Sequence, residues 1–283
     1  MEAELLHAGR QALWGKLAVA NFFLGGAGAG VYVVAAVLSG FERSPILGAA
    51  SALGPVLVIA GFLSVAAEAG RPLRGPFVLK QIRSSWMSRE LWAGGAFIAL
   101  SAADLLDPRL VWRVGAVSAA LLLALAQGAI LSRAKGVAAW SVPLMPLLFL
   151  VSALVSGAGT LILTLPLLVP GGAGRALEGW TAGLLVLSAL VWGSYIGWSG
   201  GPAFRQATAS FRTAGTLVGI FGVGHLLPLF FLTLGLWVPT FLWAALAGAL
   251  LLEGQLQAKA RLILRAGELR PITIPHFRLR RAS

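Results

Sequence analysis

Long apolar segments follow one another along almost the whole chain, with only short polar stretches between them. No other feature restricts the fold as strongly. A bilayer's hydrocarbon core is roughly 30 Å thick, which about 20 apolar residues cross at a rise of about 1.5 Å each. Candidate segments of this kind lie at about 14–38, 46–69, 90–106, 110–131, 143–168, 178–198, 213–235 and 238–257. In lipid the backbone must satisfy its own polar groups, so each segment is predicted to be helical. The expected architecture is therefore an all-α integral membrane protein. Its eight-span transmembrane domain would cover residues 1–265, with a basic C-terminal tail over 266–283. The third span is short, and Asp107-Pro108 leaves almost no loop before the fourth. Composition agrees: 58% of the 283 residues are hydrophobic, 11% are charged, and the mean hydropathy is +0.86. A soluble domain cannot hide that much apolar surface. The leading MEAELLHAGRQALWGK has glutamates and no short apolar run ending in a small-residue cleavage site. It reads as a retained lead-in to the first span.

Charge placement gives the orientation. The net charge of +12 would suit nucleic acid in a soluble chain. In a polytopic one it reflects topology and anionic lipid, so no nucleic acid is expected. Of the 22 Lys and Arg residues, only Arg43, Arg109, Arg113 and Arg175 fall on one face of the predicted bundle. All others lie in the N-terminus, the loops after spans 2, 4 and 6, or the tail. Basic loops stay cytoplasmic, so both termini are expected on that side. Losing or gaining one span would scramble this separation. The most basic loop lies within EAGRPLRGPFVLKQIRSSWMSRELW, residues 68–92. Its Arg71, Arg74, Lys80, Arg83, Trp86 and Arg89 are candidates for docking a partner. The tail PITIPHFRLRRAS suits either docking or lipid headgroups.

Few polar side chains fall inside the spans, and their depth follows from helical rise. Asn21, Glu68, Gln127 and Glu253 come within about 5–9 Å of the cytoplasmic ends of their helices. Asp104 and His225 lie deeper, at about 18 and 20 Å. Each has a plain structural role open to it. Glu68 would pair with Arg71 or Arg74 at the membrane edge, and Asn21 and Gln127 would bond neighbouring helices. Glu253 would be solvated, Asp104 would cap the outer turn, and His225 would be a satisfied structural histidine. Their shared depth favours function for Asn21, Glu68 and Gln127. A quinone headgroup needs donors for its carbonyls, protons on reduction and an apolar exit for its tail. Carboxamides and a buried carboxylate supply the first two. Glu68, Asp104 and His225 are the candidates for a proton relay.

The residue inventory limits the redox chemistry. With no cysteine, the chain cannot hold an iron–sulfur cluster or a zinc–thiolate site. Only His225 of the three histidines is embedded, so paired axial haem ligands are not expected, and neither is any metal site. Electrons would have to reach the membrane through a partner. In span 1, Gly26 and Gly30 have the spacing for close helix packing. Pro146-Leu-Leu-Phe-Leu150 faintly echoes Pro228-Leu-Phe-Phe-Leu232.

Three stretches resemble the integral membrane subunits of the NrfD/polysulfide-reductase family. They are LWGKLAVANFFLGGAGAG (13–30), EAGRPLRGPFVLKQIRSSWMSRE (68–90) and Trp140-Ser-Val-Pro-Leu-Met-Pro-Leu-Leu-Phe149. The second is the most specific, and hydropathy is similar over nearly the whole length. The resemblance implies an eight-helix anchor that binds quinone (menaquinone or ubiquinone) and carries no redox cofactor of its own. It implies an iron–sulfur partner of the four-cluster ferredoxin type, serving a molybdopterin or haem catalytic subunit. It also implies residence in the inner (plasma) membrane of a prokaryote. Asn21 falls where the family places a headgroup ligand, and Glu68 where it places the acid after span 2. Relatives often carry a tyrosine late in span 4; this chain has Ala126-Gln127-Gly128, with Gln127 as the substitute. The expected function is exchange of electrons between quinone and the iron–sulfur partner, in a subunit without the catalytic centre. The rival is a proton-coupled secondary transporter using Glu68, His225 and Asp104.

Overall fold

The computed structural model describes residues 3–6, 9, 11–12, 14–68, 78–168, 174–238, 240–269 and 272–274. The long elements are all helical: α1 Lys16–Leu38, α2 Pro45–Glu68, α3 Trp86–Leu106, α4 Leu110–Ser132, α5 Met145–Leu168 and α6 Arg175–Ile196. A short α7, Gly201–Ala207, leads to α8, Ala214–Trp237, whose stretch Val218–Leu226 is π-helical. The last helix, α9, spans Phe241–Ala260 and continues through a π-helical turn, Arg261–Arg265. Two short strands, β1 Ala3–Leu6 and β2 Ile272–Ile274, pair antiparallel and join the chain ends on one side.

Seven of these helices are long and apolar enough to cross a membrane, so the chain is a multi-pass membrane protein. Helix α3 is more polar because it carries Arg89, Glu90 and Asp104. It nevertheless runs the full height of the bundle. Glu90 in its first turns bonds Asn21 near the start of α1, while Asp104 near its end bonds Arg113, which also reaches Phe41 beyond the end of α1.

Helix contacts divide the bundle into two groups of four. Helices α1 to α4 form one ring, and α5, α6, α8 and α9 form the other. Helix α1 joins them by packing on α5 and α9 as well as on α2 and α4. It is accordingly the most enclosed span, with 78% of its apolar window buried against 28% for α8. Small residues make this possible. Gly28 abuts the Gly54 carbonyl of α2, while Gly30 faces Ala153 and Gly157 of α5 so closely that backbone meets backbone. The expected Gly26/Gly30 packing pair is therefore only half structural, because Gly26 faces a polar site. A side chain on Gly157 would overlap the Gly30 carbonyl carbon. Gly157→Leu is expected to cost roughly 3 kcal/mol or more, given the penalties for overfilled interiors. Thermal unfolding and monodispersity in detergent would register it. The outer surface is apolar, with Val56, Leu122, Leu190, Phe230 and Trp237 turned outward as lipid contact requires.

Candidate functional site

The site begins with the way α3 starts. Ser85 has extended backbone and caps the helix by accepting the Ser88 N–H, so the polar run Ser88-Arg89-Glu90 is helical rather than loop. Ser88 is buried and its hydroxyl donates to the Val78 carbonyl. Arg89 lies 4.3 Å above the Trp86 ring and donates to the Ile82 and Arg83 carbonyls, at 3.0 and 2.8 Å, which ties down the preceding turn. Glu90 then points inward. Its Oε1 accepts from Asn21 Nδ2 at 3.0 Å and from Gln127 Nε2 at 3.1 Å, and all three residues are buried. Gln127 Nε2 also lies 3.4 Å from the Asn21 carbonyl. Three helices thus converge on one carboxyl. Two amide donors hold its oxygen, as a buried carboxylate requires.

A second polar group adjoins this network across α1. Lys259 of α9 is fully buried, and its Nζ has no hydrogen-bond partner among the described residues. It lies 5.7 Å from the ring centroids of both Phe23 and Phe149. One turn back on α9, Gln255 accepts from the Ser152 hydroxyl of α5 at 2.7 Å. Gln255 Nε2, Ser156 Oγ and Asn21 Oδ1 are buried without partners among the described residues. Residues 255 and 259, and likewise 152 and 156, stand four apart on their helices and so share a face. The α1–α5–α9 seam therefore carries hydrogen-bonding capacity that the described residues leave unused.

The structure sorts the residues expected from sequence. Asn21 and Gln127 come together as anticipated, but on Glu90. Glu68 lies nearer the membrane edge, where its carboxylate accepts the Gly15 N–H at the start of α1 at 2.5 Å. Asp104 does not meet His225. It accepts from Arg113 Nε and from the Tyr32 hydroxyl, each at 2.9 Å, in a buried cluster near the opposite end of the bundle. His225 lies in the π-helical stretch of α8, with Nδ1 2.7 Å from the Ile220 carbonyl and Nε2 2.9 Å from Ser188 Oγ. Glu68, Asp104 and His225 form no connected chain among the described residues. Glu253 is exposed on the bundle surface and accepts from Gln257. Of the docking candidates, Lys80 and Arg83 are exposed, whereas Trp86 and Arg89 brace each other. Arg71, Arg74 and the tail beyond β2 lie outside the described residues.

With this geometry in place, comparison against family models returns one described as "Polysulphide reductase, NrfD", matching residues 4–257. The chain belongs to the NrfD family. A direct comparison with curated protein sequences gives no significant match. Membership in the NrfD family points to the membrane subunit of a polysulphide reductase-like complex. The segments that resembled the NrfD family now have physical roles. Trp140 stacks on Trp14 at 5.2 Å and donates to the Leu262 carbonyl at 2.8 Å, which fixes the entrance to α5 against both ends of the chain. The Arg-Ser-Ser-Trp-Met-Ser-Arg-Glu run is the start of α3, and it ends on the acid at the centre of the site. Sequence reasoning passed over Glu90 by placing it at the edge of a span. The available signal was the serine cap five residues earlier, which moves Glu90 more than a turn into the helix. Lys259 was likewise counted with the cytoplasmic charges, although it is an interior residue of α9.

Proposed function

We propose that this chain is the quinone-binding membrane subunit of a multi-subunit oxidoreductase, passing electrons between membrane quinone and an iron–sulfur partner subunit. The observation that carries this reading is the buried Asn21–Glu90–Gln127 network, close to the end of the bundle where both termini lie. That depth suits a headgroup whose tail remains in lipid. The unpartnered Asn21 Oδ1 offers an acceptor to a quinol hydroxyl, and Gln127 and Asn21 offer amide donors to a quinone carbonyl. A bound quinone would supply the two-electron, two-proton chemistry. The chain's own part is to orient the headgroup, exclude water and hold a transferable proton on Glu90. Glu68, which accepts the Gly15 N–H, is the proposed group for passing protons between this site and the aqueous side.

The chain has no cysteine, so a partner must bring any iron–sulfur cluster. Lys80 and Arg83 are the described part of the proposed docking face, to which the sequence adds Arg71 and Arg74, with a molybdopterin or haem subunit beyond it. Eight crossings follow if α3 spans the membrane with the other seven helices. The pairing of β1 with β2 supports an even number. On this reading the basic loops face the cytoplasm, and the membrane is the inner membrane of a prokaryote.

Extraction of the intact complex from its native membrane tests this directly. Quinone is expected at about one molecule per chain, together with an iron–sulfur protein. Gln127→Leu removes one donor and leaves the Glu90 oxygen short of a bond, which costs roughly 1–3 kcal/mol. Retained quinone is therefore expected to fall about tenfold or more. A chain that purifies free of both quinone and cluster protein would refute the proposal.

A further inference from the structure

The most unusual side chain in the molecule is Lys259. An ammonium removed from water is costly unless something pairs with it. Lys259 is nevertheless fully enclosed, between the rings of Phe23 and Phe149, without a hydrogen bond among the described residues. Packing alone would be better served by methionine, which has similar length and no charge to desolvate. The neighbourhood points to another role. A methyl placed on Gly26 would stand 3.3 Å from Lys259 Nζ and 3.4 Å from Gln127 Oε1. The absent side chain at Gly26 therefore leaves the amine and the amide oxygen facing one small gap. They are no farther apart than the sum of those distances, across a gap that water can enter. The amide nitrogen of the same Gln127 bonds Glu90.

We propose that Lys259 is the proton-exchange partner of Glu90, the two trading a proton through water beside Gln127 so that the seam between the half-bundles feeds the quinone site. Residues on three helices take part. Glu90 gives its proton to a quinone oxygen as the partner subunit supplies an electron, and becomes a carboxylate. The Lys259 ammonium returns a proton to Glu90 through water in that gap and becomes an amine, while the Gln127 amide orients the acid and carries no proton itself. The seam then recharges that amine past Gln255 and Ser156, whose unpartnered Nε2 and Oγ accommodate water. Two such rounds match the two electrons and two protons of quinone reduction, and quinol oxidation runs the same steps in reverse. Lys259 acts through Glu90 and does not touch the headgroup, so it is a positioning and proton-supply residue. This proposal rests on the quinone reading above.

The test uses the intact complex carrying Lys259→Met, with three readouts: bound quinone, quinone-linked turnover and the unfolding midpoint. Turnover is expected to fall at least about tenfold while bound quinone is unchanged. Because the substitution removes an unpaired buried amine, Tm is expected to hold or to rise by about 2–4 °C. In Lys259→Ala, added methylamine is expected to restore part of the turnover, and methanol at the same concentration is not. Wild-type turnover in Lys259→Met overturns the proposal. A fall in Tm that parallels the fall in turnover, or equal rescue by methanol, makes Lys259 structural and also overturns it. Absence of quinone from the wild-type complex would instead remove the quinone reading, while the Tm of Lys259→Met would still report whether the amine is held at a structural cost.

Discussion

Glu90→Gln is expected to reduce quinone-linked electron transfer by roughly 100- to 10,000-fold, the range typical of losing a positioned acid–base group. The amide oxygen of the new side chain still accepts from Asn21 and Gln127, so the three-helix junction persists. Bound quinone and thermal stability should therefore stay close to wild type, and the loss should appear in turnover. Glu90→Leu behaves differently. It strands the Asn21 and Gln127 amide donors in the interior, at about 1–3 kcal/mol for each unsatisfied group. That variant should lose stability as well as turnover. Measuring turnover, quinone content and unfolding on both variants separates chemistry from architecture. If Glu90→Gln works at the wild-type rate, Glu90 is only a fastener between helices.

Arg113→Ala should be the most destabilising single change at the far end of the bundle. Asp104 and Arg113 form a buried ion pair at 2.9 Å, extended by the Tyr32 hydroxyl and by the Arg113 bond to the Phe41 carbonyl. Removing the guanidinium leaves a carboxylate inside the protein with one neutral donor, a loss of roughly 3–5 kcal/mol. Arg113→Met combined with Asp104→Leu should recover most of it, since no stranded charge remains. Unfolding midpoints across the four proteins of this double-mutant cycle provide the check. Additive losses would mean that the pair is not coupled. Electron transfer should be preserved wherever the protein folds, because this cluster lies at the opposite end from Asn21, Glu90 and Gln127.

The helices were legible in the sequence because hydropathy registers what lipid demands of a backbone. Segments expected at about 14–38, 110–131 and 143–168 correspond to Lys16–Leu38, Leu110–Ser132 and Met145–Leu168. Pairing was not legible, since average apolar character says nothing about which charge meets which. Arg113 looked like an outer-face cation, yet it lies within α4 and neutralises Asp104 of α3. Lys259 and Glu90 looked like the polar edges of spans, yet capping and helix extension carry both into the interior. Asn21 and Gln127 were found because carboxamides stand out in apolar helices, whatever their partners. Glu68 was drawn into the same layer by its distance from the nearest arginine. Helical rise gives depth along a helix but not which side of the bundle a residue faces.

The clasp between β1 and β2 joins a segment made before α1 to one made after α9. Ribosomal output is vectorial, so this clasp cannot close until α9 has left the insertion machinery. The contacts of Gln11 with Gly267 and Ile263 must wait for the same moment. Closure thus marks that every helix between the two strands has been inserted, on the same side of the bundle as the proposed electron entry. A companion subunit that recognises the closed clasp would assemble with fully inserted bundles and leave partly inserted ones to proteolysis.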